Sequence, residues 1–245
     1  MTAREEGLVV VTGASSGIGE AIAQALIDGG RTVITLQRKP PQIKHKNLLH
    51  FPLDLTDIEA TRQLSAEIAA QYPVRYLVNN ASANRPGPLE TASIEDMEYV
   101  LAINLKASLL LIQAFTPAMR VAKYGRILSI SSRAVLGKTE RVIYASAKAG
   151  VIGMARTLSL ELARDGITFN VIAPGAVATA LFNNGHPPGS EKRQVVIDSI
   201  PMKRVGTPED IANAAMFFLS PQSGYITGQT LFVCGGVSIS GSGGA

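Results

Sequence analysis

Short apolar runs, mostly β-branched, recur along this chain, and between most of them lies a longer stretch with helical spacing. That alternation leaves little choice of architecture. The runs are Leu8 to Val11, Thr32 to Leu36, Leu48 to Leu53, Tyr76 to Val78, Ile127 to Ile130, Ile167 to Ile172 and Thr230 to Val233. They are continuous rather than alternating, as expected of parallel strands buried on both faces, and the intervening helices supply the cover. Between the first two, Ile18, Ala21, Ile22, Ala25 and Leu26 form the stripe of a helix packed on one face, which Gly29-Gly30 ends. Further helices are expected at Asp57 to Ala70, Ile94 to Ala122, Val142 to Ala163 and Pro208 to Leu219. The expectation is an α/β, doubly wound domain spanning residues 1–245, with a seven-stranded parallel sheet flanked by helices on both faces. At 245 residues and 46% hydrophobic, one such core can be filled.

Several function classes are disfavoured at once. A lone cysteine, Cys234, has no internal partner for a disulfide, and with His45, His50 and His186 scattered there is no zinc-type spacing, so no metal is expected. Cys234 is expected to pack as a small apolar residue. Met1 to Glu6 carries acids where a leader would need an apolar core, which points to a cytoplasmic protein. Gly166 to Ser190 and Pro221 to Ala245 lack Asp, Glu, Lys and Arg, yet Pro, Gly, Asn and Ser interrupt both, so neither is read as a membrane span. The net charge of +4 comes from scattered cations, with no stripe or aromatic platform for nucleic acid. The Gly/Ser tail, about 238–245, is expected to fray.

The chemistry begins at Thr12-Gly13-Ala14-Ser15-Ser16-Gly17-Ile18-Gly19, between the first strand and the first helix. There, backbone N–H groups and the helix dipole can meet a pyrophosphate, and glycine permits the close approach. Alone, such a turn is often only structural. Its Gly-x-x-x-Gly-x-Gly spacing, however, resembles that of the short-chain dehydrogenase/reductase family. The resemblance continues through Asp54-Leu55, Asn79-Asn80-Ala81, Asn104, Ser132, Tyr144-Ala145-Ser146-Ala147-Lys148 and Pro174-Gly175. It implies a Rossmann-type fold and, in the 3-oxoacyl-thioester reductase-like branch, a carbonyl-reducing activity. Ser82 departs from it: the family usually has glycine after Asn-Asn-Ala, and a small effect on the backbone's approach to the cofactor is expected.

Tyr144 and Lys148 are spaced i, i+4 and so share a helix face. A phenol is a poor base near neutral pH, and a neighbouring ammonium stabilises the phenolate. The pair can then exchange a proton with an alcohol or carbonyl oxygen. An isolated Tyr-x-x-x-Lys is usually just a surface pair, but this one lies in a run of small residues, Ala145 to Gly150, that permits close packing. The segment Ser129-Ile130-Ser131-Ser132 offers the hydroxyl that would polarise the substrate oxygen. Counting from Gly125-Arg126 selects Ser132, and counting back from Tyr144 selects Ser131. Ser132 is preferred, because a loop deletion is tolerated more easily than a strand slip, with Ser131 as the alternative. Asn104 reads from sequence as a hydrogen-bonded core amide. The resemblance implies that it holds a water linking Lys148 to solvent, and that Lys148 also bonds the nicotinamide ribose.

Cofactor choice is read at the end of the second strand, where Gln37 is neutral and Arg38 and Lys39 follow. An acid at 37 would repel a 2′-phosphate, and two cations attract one, so NADP(H) is expected; otherwise the cations merely solvate a strand end. The cofactor contacts expected are Gly13, Ser15, Ser16, Gly17, Ile18, Gly19, Arg38, Lys39, Asp54, Leu55, Asn80, Ala81, Tyr144, Lys148, Pro174, Gly175, Val177 and Thr179. By resemblance, Asp54 would accept from the adenine amine, Asn80 and Ala81 would line the adenosine side, and Pro174 to Thr179 would hold the carboxamide. Residues of about 180–205, rich in Gly, Pro and Asn, break helical periodicity and correspond to a substrate lid. Arg133, Lys138 and Arg141 flank the catalytic groups and either are solvated or hold an anionic part of the substrate. The functional expectation is an NADP(H)-dependent oxidoreductase interconverting a ketone and a secondary alcohol. Alternatives are a 3-oxoacyl-thioester reductase and, from another class, a non-catalytic dinucleotide-binding scaffold. The resemblance also implies a homotetramer joined through the helices of Asn104 and Tyr144.

Overall fold

The structure, a computed structural model, describes residues 7–240. The acid-bearing N-terminus and residues 241–245 of the expected tail lie outside the described residues. Seven strands, β1 (Leu8–Thr12), β2 (Val33–Gln37), β3 (Leu48–Pro52), β4 (Val74–Asn79), β5 (Gly125–Ile130), β6 (Ile167–Pro174) and β7 (Thr230–Val233), form one sheet. Their order is β3-β2-β1-β4-β5-β6-β7, and every pairing is parallel. The chain winds outward from β1 in one direction to β3, then returns and winds the other way from β4. The crevice at the carboxyl ends of β1 and β4 is therefore the place where such a sheet receives a ligand.

The helices are α1 (Gly17–Asp28), α2 (Ile58–Gln71), α3 (Ile94–Leu101), α4 (Ala107–Ala122), α5 (Val142–Leu162), α6 (Ala180–Gly185), α7 (Glu191–Ser199) and α8 (Pro208–Leu219). One face of the sheet packs on α1 and α8 around Val9, Val11, Ile22, Leu26, Val78, Ile211 and Phe218. The other packs on α2, α4 and α5 around Val10, Leu77, Leu111, Phe115, Val151 and Phe169. The expected stripe of α1 is rotated: Ala23 and Ile27 are buried, while Ile18, Ala21 and Ala25 are only partly so. The cause is that α1 is gripped on a second side by α8 as well as by the sheet.

Three further expectations are corrected. The single helix expected at Ile94 to Ala122 is two helices joined through a π-helical turn, Ala102–Lys106, that carries Asn104. This run is long and apolar enough to cross a membrane by length and composition, but half of its most apolar window is buried, with α4 packed on α2, β4 and β5. The segment expected to form a lid, whose periodicity is broken, nonetheless contains helix. It holds α6 and α7, separated by Pro187-Pro188-Gly189 and N-capped by Thr179 and Ser190, whose side chains accept from Phe182 and Arg193 N–H. Of the tail, Ser238 to Ser240 are tied down: Ser238 N–H donates to Cys234 Sγ at 3.4 Å and Ile239 N–H to Gly236 O at 3.1 Å.

Candidate active site

The turn from β1 into α1 is shaped by close approach. Gly13 and Gly17 adopt φ of +69° and +61°, in the left-handed region. A Cβ on Gly19 would stand 2.3 Å from Gly13 O and 2.4 Å from Asn80 Nδ2, so the turn closes only with glycine there. Thr12 and Asn80 lock this turn onto β4: Thr12 Oγ1 accepts from Asn80 N–H (3.0 Å) and Ala81 N–H (2.9 Å), and Asn80 Nδ2 donates to Thr12 O and Gly13 O, both at 3.0 Å. Asn80 thus braces the loop, a task not read from the sequence. The N-cap of α1, Ser16, makes no side-chain capping bond, although Asp57, Ser93, Ser190 and Thr207 all cap their helices. The first-turn N–H groups of α1 are thus left for an anion at the positive end of the helix dipole. Thr179 stands opposite, its Cγ2 3.0 Å from where a Gly17 Cβ would lie. The segment Pro174 to Thr179 is held by a bridge between Val177 and Gly206. Gly175 passes so close to Cys234 that a Cβ would lie 2.8 Å from its Cα. A dinucleotide fits these residues: two glycine-walled segments face one another across the crevice, with uncapped amides at its floor.

At the end of β2, Gln37 turns inward. Its Oε1 accepts from Ala14 N–H at 3.2 Å, and it is buried. Arg38 and Lys39 are exposed, and the Arg38 guanidinium stands 3.8 Å from Asp54. Asp54 Oδ1 takes the N–H (3.0 Å) and hydroxyl (2.8 Å) of Thr56, bonds that hold its carboxyl below the ordinary range, with Arg38 adding to them. Leu55 beside it is buried. The neutral residue and exposed cations suit a 2′-phosphate.

The expected acid–base groups meet where β5, α5 and the π-turn converge. Lys148 is buried, and its Nζ donates to Ile130 O at 2.8 Å and lies 5.7 Å from the centre of the Tyr144 ring. Desolvation pulls its pKa down to about 7. Burial pushes the Tyr144 phenol up, while the neighbouring Ser132 and Ser82 hydroxyls and the Arg141 guanidinium act against burial. Ser132 Oγ accepts from Ala134 N–H at 3.1 Å, which leaves its own proton for Tyr144 or a substrate. Ser131 points elsewhere: it is buried and donates to Lys148 O at 2.9 Å, pinning α5 to β5. Asn104 is buried, and its Nδ2 donates to Ala83 O (3.0 Å) and Val100 O (2.9 Å). Its Oδ1 accepts from Ser82 Oγ at 2.8 Å, and its main-chain carbonyl accepts from Ser108 at 3.2 Å. The side chain is thus a bonded core amide, and a water can be held only at the remaining lone pairs of its two oxygens. Neither the π-turn nor the Ser82–Asn104 bond is legible in the sequence: no spacing marks the first, and the second joins residues 22 apart.

The chain matches the family model described as enoyl-(acyl carrier protein) reductase over residues 13–238. It is 34% identical to the (2S)-[(R)-hydroxy(phenyl)methyl]succinyl-CoA dehydrogenase subunit BbsD of Thauera aromatica, covering 95% of this chain and 96% of that one. It is 36% identical to the 3-oxoacyl-[acyl-carrier-protein] reductase FabG of Buchnera aphidicola, covering 95% and 98%. Among solved structures, one provisionally assigned as an NAD(P)-dependent gluconate 5-dehydrogenase of Beutenbergia cavernae, with NADP bound at low occupancy, superposes with a TM-score of 0.86 at 33% identity. That match covers 94% of this chain and 96% of the other.

Proposed function

This chain belongs to the short-chain dehydrogenase/reductase family and is an NADP-dependent oxidoreductase interconverting ketones and alcohols, and on that premise we propose that Tyr144 moves the proton, supported by Lys148, Ser132 and Asn104. The observation that carries this reading is the convergence of Ser132 and Lys148 on a half-buried phenol. The cofactor supplies or removes hydride at the substrate carbon, and the chain's own residues manage the oxygen. Ser132, whose proton is uncommitted, donates to that oxygen and orients it. Tyr144 gives up its proton as negative charge gathers on the oxygen, and the Lys148 ammonium stabilises the phenolate left behind. Ser16 to Gly19, with Gly13 and Ser15, would hold the pyrophosphate, Arg38 and Lys39 the 2′-phosphate, and Asp54, Leu55, Asn80 and Ala81 the adenosine side. Pro174, Gly175, Val177 and Thr179 would hold the carboxamide. NADPH oxidation measured against a ketone panel that includes acetoacetyl thioesters tests this reading. Tight NADPH binding without turnover on any of them would leave only a binding scaffold.

A finer substrate class is favoured by three cations. Partial burial and the guanidiniums of Arg141 and Arg133 together hold the Lys138 ammonium below its usual pKa. Among the described residues, none of the three has a carboxylate partner. A cationic cluster beside a proton donor is relieved by an anion, and the relatives above are named for thioester substrates. The proposed substrate is an anionic or thioester-linked ketone. Arg141→Ala is expected to raise the KM for acetoacetyl-CoA at least about tenfold more than that for a neutral ketone; an equal change would remove this reading. The same proposal includes a cytoplasmic location, in keeping with the free thiol of Cys234. It also includes a homotetramer, supported by the exposed Leu109 on α4 and Leu160 on α5.

A further inference from the structure

The turn from β1 into α1 is held from β4 by Thr12 and Asn80, and from β2 by two bonds of different kinds. Gly13 N–H donates to Leu36 O at 3.1 Å, main chain to main chain. The next amide, Ala14 N–H, donates to a side chain, Gln37 Oε1, at 3.2 Å. Ala14 and Gln37 are both buried, so this bond has little competition from water.

That bond fixes the Gln37 amide. A backbone N–H can only donate, so the atom it meets is the oxygen, and Nε2 is turned the other way, to His50 Nδ1 at 3.4 Å. An amide nitrogen can only donate, so His50 Nδ1 accepts, and the ring hydrogen lies on Nε2. Thr35 agrees with this assignment. Its Oγ1 also lies 3.3 Å from His50 Nδ1, which has a single lone pair, but the hydroxyl has a second acceptor in Leu49 O at 3.3 Å. The fold sets these groups together: β2 and β3 pair in parallel with Thr35 beside His50, and Thr35 and Gln37 share one face of β2. The other ring nitrogen, His50 Nε2, is buried and has no hydrogen-bond partner among the described residues. An orphaned N–H costs stability, so packing alone does not explain a histidine here; what the ring contributes is Nδ1.

We propose that His50 is a positioning residue for the cofactor turn: it holds the Gln37 amide so that Gln37 holds Ala14 N–H, and so keeps the neighbouring amides aimed at the pyrophosphate. The same bonds occupy the Gln37 side chain at both ends. Gln37 is thereby withdrawn from the adenosine ribose, and the 2′ position is left to the exposed Arg38 and Lys39. The inference rests on the cofactor placement proposed for this turn.

The first test reads the cofactor-free protein by imidazole nitrogen NMR at mildly alkaline pH, with His50→Asn identifying the His50 ring among three histidines. The expected parent spectrum has the hydrogen on Nε2 and a bare Nδ1, and Gln37→Glu moves hydrogen onto Nδ1, because a carboxylate oxygen then faces it. A parent ring with its hydrogen on Nδ1 overturns the inference. The second test measures NADPH affinity by fluorescence, with KM and kcat, in His50→Leu, His50→Gln and His50→Asn. Asparagine places an amide oxygen near the position of Nδ1, whereas glutamine reaches toward Nε2. The expected result is a Kd and KM for NADPH at least about fivefold higher in His50→Leu and His50→Gln, a kcat at saturating NADPH within about twofold of the parent, and recovery of KM in His50→Asn. A merely structural histidine would lower the Tm in all three without separating asparagine from glutamine. Parent-like affinity in His50→Leu, or His50→Asn no better than His50→Leu, overturns the inference. Gly19→Ala, measured alongside, separates this from the placement it rests on. If Gly19→Ala weakens NADPH binding and His50→Leu does not, the placement stands and His50 has no part in it; if neither does while the ring hydrogen is on Nε2, the placement at this turn fails and the inference with it.

Discussion

Two adjacent serines on one strand end differ by the carbonyl or amide each meets, and this decides what their removal does. Ser132→Ala is expected to lower kcat by about 100-fold or more, with NADPH affinity unchanged, because it takes away the proposed donor to the substrate oxygen. Ser131→Ala breaks the tie between β5 and α5, and is expected to lower the Tm by a few degrees with a smaller loss of turnover. Full activity in Ser132→Ala with an inactive Ser131→Ala would reverse the assignment. Lys148 gives a prediction of the opposite sign for stability. Its folded pKa, about 7, lies below that of an exposed lysine, so the unfolded chain binds more protons between the two values. The destabilisation is full below about pH 7 and fades as pH rises toward the unfolded value near 10.4. Lys148→Met should therefore melt a few degrees higher than the parent at pH 6, lose that advantage at alkaline pH, and lose activity throughout. A variant no more stable at pH 6 would show that the ammonium is well solvated after all. The serine question was open to sequence only as two competing counts. A hydrogen-bond partner across the fold, such as Lys148 O or Ala134 N–H, leaves no trace in spacing.

Among the elements, the turn from β1 into α1 is the one proposed to carry the cofactor contacts, through the fit of backbone to backbone. Gly19→Ala would force a Cβ against Gly13 O and Asn80 Nδ2. It is expected to weaken NADPH binding at least about tenfold and to lower the Tm by several degrees, read by fluorescence titration and thermal melting. Unaltered binding would mean that the turn is looser than the geometry implies. This turn was legible in the sequence because glycine is the only residue that meets its demand. So were the strands, whose burial on both faces leaves unbroken apolar runs, as at Val9 to Val11 and Val171 to Ala173. The π-turn at Asn104 was not legible, since the sequence Leu101-Ala102-Ile103-Asn104-Leu105 suits an α-helix and the widening answers tertiary partners at Ser82 and Ala83. The lid helices were missed for a related reason: they are short, α7 has no fully buried residue, and the apolar periodicity that marks a helix comes from burial.

For the whole molecule, two windings of the chain meet at β1 and β4 and bring residues as distant in sequence as Gly13, Asn80 and Thr179 to one crevice. Binding there stabilises the folded state by mass action, so NADPH should raise the Tm more than NADH at equal concentration. Equal shifts would mean that Arg38 and Lys39 contribute nothing to cofactor choice. The proposed tetramer is tested by light scattering, where a monomer at assay concentration would leave Leu109 and Leu160 without the partner proposed for them. Underlying all of this is the claim that Tyr144 moves the proton. Its most direct test compares Tyr144→Phe with the parent in NADPH-dependent reduction of the best ketone of the panel, with NADPH affinity measured alongside. The expected result is unchanged affinity and a kcat lower by a factor of about 100 to 10,000; turnover within a few-fold of the parent would contradict it.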